Sequence, residues 1–117
     1  MADLEKIRCE LKKQLKKERY IHTIGVMYTA ASMAMRYGED IEKAMTAGLL
    51  HDCGKFAPAG EQIRLCKKYG LSLKESEVEM PALIHAKLGA YLAKETYKVC
   101  DGEILNAILY HTTGVRI

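Results

Sequence analysis

Ala47-Gly48-Leu49-Leu50-His51-Asp52-Cys53-Gly54-Lys55 is the stretch on which the reading of this chain turns. It continues a pattern that starts just after Asp40. Ile41, Ala44, Met45, Gly48 and Leu49 recur at helical spacing and read as the inward face of one helix. Asp40 reads as its N-cap and Gly54 as its close. The helix therefore delivers a histidine and a carboxylate side by side at its C-terminal end. Neighbouring helix positions point about 100° apart, so both side chains reach one cavity only if it lies between their directions. A metal centre meets that requirement, because an imidazole nitrogen and a carboxylate oxygen bind different edges of it. A carboxylate also has two oxygens with which to bridge two metals.

The same periodicity runs outward in both directions. Upstream, Leu4, Ile7, Leu11 and Leu15 form one apolar stripe on a first helix, with Asp3 as its N-cap. A second helix is expected from about Tyr20 to Tyr37, with Ile24, Tyr28, Ala31 and Met35 on a common face and Gly38 as its C-cap. Downstream, residues 56–60 read as a loop, and a short fourth helix as running from about Gln62 to Tyr69 and stopping at Gly70. Residues 71–80 are a polar connection. Pro81 suits the first turn of a fifth helix with apolar positions at Leu83, Ile84, Leu88 and Leu92. Asp101-Gly102 breaks the chain before a last helix from about Glu103 to His111. No strand-like alternation, repeat or low-complexity stretch appears. The expectation is one all-α domain over residues 1–117, a compact bundle of about six helices.

Composition agrees. The chain has 117 residues, 49% hydrophobic and 28% charged, which is ordinary for a globular domain and unlike a disordered one. No apolar run reaches the roughly 20 residues that span a bilayer. The first residues carry no apolar signal core, so the expected location is the cytoplasm, with no membrane partner. Net charge is +3. Residues 1–19 hold seven Lys or Arg against four Asp or Glu, and the remainder holds eleven of each. The excess is a solvated face of the first helix or a sign of a nearby anion. It is small for a nucleic-acid footprint, and one Phe, seven Tyr and no Trp are few stacking platforms, so no nucleic-acid partner is expected. Cys9, Cys53, Cys66 and Cys100 form no C-x-x-C pair and read as reduced thiols. Cys66 and Cys100 each follow an apolar residue and read as small buried hydrophobes.

Four histidines, His22, His51, His85 and His111, fall on four different helices or their ends, each beside apolar or small residues. One histidine on an apolar face is ordinarily a packed core residue. Four on separate helices suit the inward projection by which helix bundles build metal sites.

Taken together, four segments make the sequence similar to a known family. These are residues 19–26 (Arg-Tyr-Ile-His-Thr-Ile-Gly-Val), 47–55, 83–90 (Leu-Ile-His-Ala-Lys-Leu-Gly-Ala) and 107–114 (Ala-Ile-Leu-Tyr-His-Thr-Thr-Gly). In this order they resemble the HD phosphohydrolase superfamily, and within it the YqeK-type branch of bacterial symmetrical diadenosine tetraphosphate hydrolases. The resemblance implies a helical domain with a two-metal centre of divalent or trivalent ions, usually iron. Nitrogen and carboxylate ligands without thiolate also suit manganese or zinc. By family position His22, His51 and Asp52 hold one metal, Asp52 bridges, and His85 and His111 hold the second. The implied reaction is water attack in the middle of the tetraphosphate, releasing two ADP, with water made nucleophilic at neutral pH by metal binding.

A polyphosphate also needs cations. Lys55, one turn beyond Asp52, and Arg19, one turn before His22, are candidates for substrate contact. Each also reads as a solvated helix residue; the motif favours phosphate contact for Lys55 and leaves Arg19 evenly divided. Thr23 and Thr112 follow ligand positions and either orient them, touch phosphate, or serve in packing and capping. Asp52 and Lys55 are thus the expected catalytic pair.

The family pattern continues past the His-Thr-Thr-Gly segment, where a later helix supplies an aspartate to the first metal, whereas this sequence reads to Ile117. The expectation is a first metal held by His22, His51 and Asp52 with weakened affinity. A homo-oligomer is expected to cover the apolar surface that the family's C-terminal helices would bury. Three functions follow: a hydrolase of dinucleoside polyphosphates, a weakly active or inactive metal- or nucleotide-binding remnant, or an HD hydrolase of another nucleotide.

Overall fold

The computed structural model describes residues 3–71 and 81–110; the expected sites His111 and Thr112 lie outside the described residues. Among the described residues there are six α-helices: α1 (Leu4–Gln14), α2 (Lys17–Tyr37), α3 (Ile41–Leu50), α4 (Ala59–Lys68), α5 (Pro81–Glu95) and α6 (Gly102–Tyr110). A single 3-10 turn, Cys53–Phe56, joins α3 to α4. No strand occurs among the described residues, and no helix there is long and apolar enough to cross a membrane. The all-α expectation holds.

The helix ends follow the sequence chemistry. Asp3 accepts from the backbone N–H groups of Glu5 and Lys6, Asp40 from Lys43, and Asp101 from Glu103 and Ile104, so each satisfies donors that a helix start leaves unpaired. Gly38 ends α2 in the left-handed region at φ 70°, and the Glu39 N–H returns to Ala34 O. This closes a tight α2–α3 hairpin. Three boundaries differ from expectation. Helix α3 ends at Leu50 rather than closing at Gly54, which lies inside the 3-10 turn. Helix α2 begins at Lys17 rather than Tyr20, because Lys17, Glu18 and Arg19 are themselves good helix formers. The expected loop 56–60 shrinks: Phe56 belongs to the 3-10 turn, and α4 already begins at Ala59 behind Pro58. Gln62 Nε2 donates to Ala57 O at 2.7 Å and holds this entry.

The inward face of α2 also differs. Its buried residues are Thr23, Met27 and Ala34, whereas Tyr28 and Met35 are exposed. The reason is distance. At Gly48 of α3, an added Cβ would lie 3.1 Å from Met27 Cα and 3.3 Å from Ala30 Cβ. Backbones that close admit the small-residue seam of α2 and not the row of Tyr and Met. On α3, Gly48 and Leu49 are buried as expected and Ala44 and Met45 are half-buried, but Ile41 is exposed at the helix start.

The main core gathers Ile7, Leu11, Leu15, Met27, Leu49, Leu50, Cys53, Ala93, Val99, Ile104 and Ile108. A smaller cluster under α4 holds Leu65, Cys66, Ile84 and Leu88. Lys43 ties α3 to the start of α6 through Asp101 (3.1 Å) and Glu103 (3.5 Å). The tightest contact lies between the 3-10 turn and α5. A Cβ on Gly54 would run into the His85 carbonyl oxygen and stand 2.9 Å from Gly89 N. Cys53 Sγ donates to Gly89 O at 3.2 Å beside it.

Of the cysteines, Cys66 is buried as expected. Cys100 is exposed instead, because Val99 takes the core position and its neighbour is turned outward.

Two outcomes follow from this packing. Gly54→Ala must displace backbone rather than a side-chain tip, and a stability loss of about 2–3 kcal/mol is expected, measured by denaturant unfolding; an unchanged midpoint would refute the close approach. In the native protein a thiol reagent should label Cys9 and Cys100 and spare Cys53 and Cys66 until denaturant is added.

Candidate metal centre

The site is built where α3 gives way to the 3-10 turn. Leu49 and Leu50, both fully buried, anchor the last turn of α3, so the following two residues have a fixed departure. His51 keeps helical angles, and Asp52 leaves them at φ −112°, ψ 20°. This change turns the two side chains toward one point. His51 Nε2 lies 3.1 Å from Asp52 Oδ2.

The other nitrogen of His51 is also committed. Its Nδ1 is 2.7 Å from Gly48 O, a carbonyl that only accepts, so Nδ1 carries the hydrogen. In the neutral ring Nε2 then presents a lone pair toward a carboxylate. Two electron-rich atoms at that distance repel unless a cation, proton or metal, lies between or beside them. A backbone carbonyl that fixes the ring and directs Nε2 inward is also the usual outer support of a metal-binding histidine.

Helix α5 supplies the opposite wall. His85 is buried, and its Nε2 is 3.4 Å from Asp52 Oδ1. The Gly54 contact brings α5 this near. Lys55, one turn along from Asp52, places Nζ 3.7 Å from the same Oδ1. Asp52 is 5% exposed, and a buried carboxylate is costly unless cationic or donor groups surround it. The cluster answers that cost from three elements.

From α2, His22 completes a third side. Its ring centroid is 5.7 Å from that of His51. One ligand atom from each of His22, His51 and Asp52 falls within 4.8 Å of the others. His22 is solvent-exposed and Asp52 buried, so this trio spans the wall of the site from outside to inside. Two imidazoles and a carboxylate fit a divalent metal of the zinc, iron or manganese kind. Cys53 is not part of the donor set. Burial, and then the Asp52 charge, push its thiol up to about 12, and its Sγ donates to the backbone of α5 instead.

The remaining expected site residues divide. Arg19 is half-buried, one turn before His22 on α2, and makes no ion pair among the described residues. Thr23 is buried in the α2 seam, and its Oγ1 has no hydrogen-bond partner among the described residues; this placement supports the packing role. Sequence reasoning did not find the Gly48 carbonyl as the partner of His51, since a backbone atom carries no residue-type signal. Nor did it find Gly54 and Gly89 as the contact that seats His85; Gly54 was legible as a helix stop and nothing more.

Comparison with known proteins agrees with this geometry. The family model described as HD domain matches residues 19–117. The chain is 45% identical over 112 residues to a symmetrical bis(5'-nucleosyl)-tetraphosphatase of Bacillus subtilis (strain 168), covering 94% of this chain and 58% of that protein. A protein of the same description from Halalkalibacterium halodurans is 40% identical over 104 residues, covering 89% of this chain and 55% of the relative. Among solved structures, one from Clostridium acetobutylicum superimposes with a TM-score of 0.86 at 40% identity, over 95% of this chain and 59% of that one. It is described as a predicted HD superfamily hydrolase involved in NAD metabolism. The chain thus spans a little over half the length of these relatives.

If the trio binds metal, its removal is measurable without any assay of activity. After reconstitution with manganese or iron and desalting, elemental analysis should find metal with the parent chain. His51→Ala and Asp52→Asn should each bind at least about tenfold more weakly. Equal retention by all three would remove the site.

Proposed function

Since the chain belongs to the HD domain family, we propose that it is a metal-dependent phosphohydrolase acting on dinucleoside polyphosphates, foremost diadenosine tetraphosphate, which it divides into two ADP. The observation that carries the reading is the buried Asp52 carboxylate, ringed by His51 Nε2, His85 Nε2 and Lys55 Nζ at 3.1, 3.4 and 3.7 Å. The names of the relatives from Bacillus subtilis and Halalkalibacterium halodurans support the substrate class.

The residues divide the work by position. His22, His51 and Asp52 would hold one metal. The second Asp52 oxygen, turned to His85, would face another, with His111 as the further ligand that the family pattern assigns. Iron is the metal we favour on that pattern, with manganese and zinc compatible with the donors. Bound there, the ions supply a nucleophile at neutral pH and polarise the phosphoryl oxygen under attack.

The protein's part is electrostatic and positional. Lys55 sits at the half-exposed mouth beside Asp52, where its ammonium would meet a phosphoryl oxygen and offset the anhydride's negative charge. Arg19, on the same rim of α2, would meet the outer phosphates. The reaction balances simply: water's oxygen bonds to a central phosphorus, the bridging oxygen leaves with one ADP, and both products are stable anions. Four unpaired thiols and a nucleotide substrate both suit the cytoplasm, where we place the protein.

Incubation of metal-reconstituted protein with diadenosine tetraphosphate, followed by separation of products, tests this. ADP alone is expected. Lys55→Ala should lower kcat/KM by about tenfold or more, through the lost charge on the phosphates. AMP with ATP would overturn the symmetrical cut. No turnover of this substrate, or turnover unaffected by His51→Ala, would overturn the assignment.

A further inference from the structure

Six large apolar side chains stand exposed among the described residues: Ile21, Tyr28, Met33, Met35, Tyr37 and Ile41. All lie on α2 or at the first residue of α3. Ile21, Tyr28 and Met35 are 59%, 55% and 67% exposed and recur at heptad spacing, so they form one row along the helix. Gly25 and Ser32 sit between them on the same side, and the space beyond Gly25 is open. Ile24 and Ala31 border the row, half-buried. The opposite side of α2 is already spent on α3. A helix of 21 residues is about 30 Å long, and an apolar row of that length facing water marks an interaction surface.

We propose that this face of α2 pairs with the same face of a second copy, antiparallel, about a two-fold axis at Tyr28. The partner's identity follows from self-complementarity. Ile21 and Met35 lie equally far from Tyr28 in the sequence, so the axis sets Ile21 of one copy against Met35 of the other. The same operation brings Glu18 of each copy near Arg36 of the other, opposite charges at both ends of the pair. A parallel pairing would put Glu18 beside Glu18 and Arg36 beside Arg36. Gly25 and Ser32 let the two backbones approach while Tyr28 fills the centre. The surface is modest. One helix face offers roughly half of the ~800 Å² per partner usual in stable complexes, so the dissociation constant should be on the order of tens of micromolar. The inference makes no use of the hydrolase reading and stands or falls apart from it.

Sedimentation equilibrium on the 117-residue chain across that concentration range tests it. The mass should rise from 13.1 kDa toward twice that value. Tyr28→Glu and, independently, Met35→Lys should hold it at the monomer while circular dichroism keeps the parent helix signal; both side chains are exposed, so neither change disturbs the core. Glu18→Arg should weaken pairing about tenfold, and Arg36→Glu in the same chain should restore it. For the axis itself, Tyr28→Cys in a chain also carrying Cys9→Ser and Cys100→Ser should cross-link to a dimer on mild oxidation. A parent chain that stays monomeric, a dimer indifferent to Tyr28→Glu, or a Tyr28→Cys chain that stays monomeric after oxidation would each overturn the proposal.

Discussion

Everything at the site depends on how closely the 3-10 turn lies against α5. At Gly54 there is no room for a Cβ between the turn and the backbone of His85 and Gly89. Cys53 Sγ adds a hydrogen bond to Gly89 O in the same place. Side chains on two elements meet at a carboxylate only when the backbones that carry them are near. With a larger residue at position 54, α5 would stand off, and His85 Nε2 would lose its 3.4 Å approach to Asp52. The glycine's value here is its missing side chain. Its backbone has no left-handed angle to accommodate, since among the described residues the positive-φ glycines are Gly38 and Gly70.

That contact also creates an electrostatic problem, which the rest of the cluster meets. Pressing α5 onto the turn buries Asp52, and a buried carboxylate needs compensation. Lys55 brings a full positive charge from the same turn. His51 and His85 bring imidazoles from α3 and α5, and His51 is held by the Gly48 carbonyl so that Nε2 alone is directed inward. Gly48 therefore acts twice: its missing Cβ lets α2 approach α3, and its carbonyl orients the His51 ring. The α2–α3 approach in turn carries His22 to within 5.7 Å of the His51 ring, centroid to centroid. Two close backbone approaches, at Gly48 and Gly54, thus draw three helices around one carboxylate.

What the sequence made legible follows from this division. The gathering of His22, His51 and His85 around Asp52 was readable because their side chains carry chemistry that repeats in a recognisable order. Helix caps at Asp3 and Asp40 were readable because capping is local. The inner face of α2 was not. Ile24, Tyr28, Ala31 and Met35 have the better apolar periodicity, yet the structure buries Thr23, Met27 and Ala34. Hydrophobic periodicity ranks faces by apolar content, whereas helix packing also ranks them by size, and α3 presents Gly48 at the contact. Cys100 went astray similarly, since the core position went to its neighbour Val99. The Gly54 contact lay beyond reach for another reason: it pairs residues far apart in sequence, and nothing local distinguishes it from an ordinary helix stop.

The two faces of α2 are consequences of one choice. A seam of small residues against α3 is what allows the short distance that brings His22 beside His51. The larger apolar side chains must then go elsewhere on the helix, and among the described residues the side away from α3 faces solvent. Had Tyr28 and Met35 turned inward, α2 would stand further from α3, and His22 would sit too far from Asp52 to share a cation with it. An exposed apolar row on α2 is in this sense the counterpart of a compact His-His-Asp cluster. The same helix gives its small side to the site and leaves its large side available for another surface.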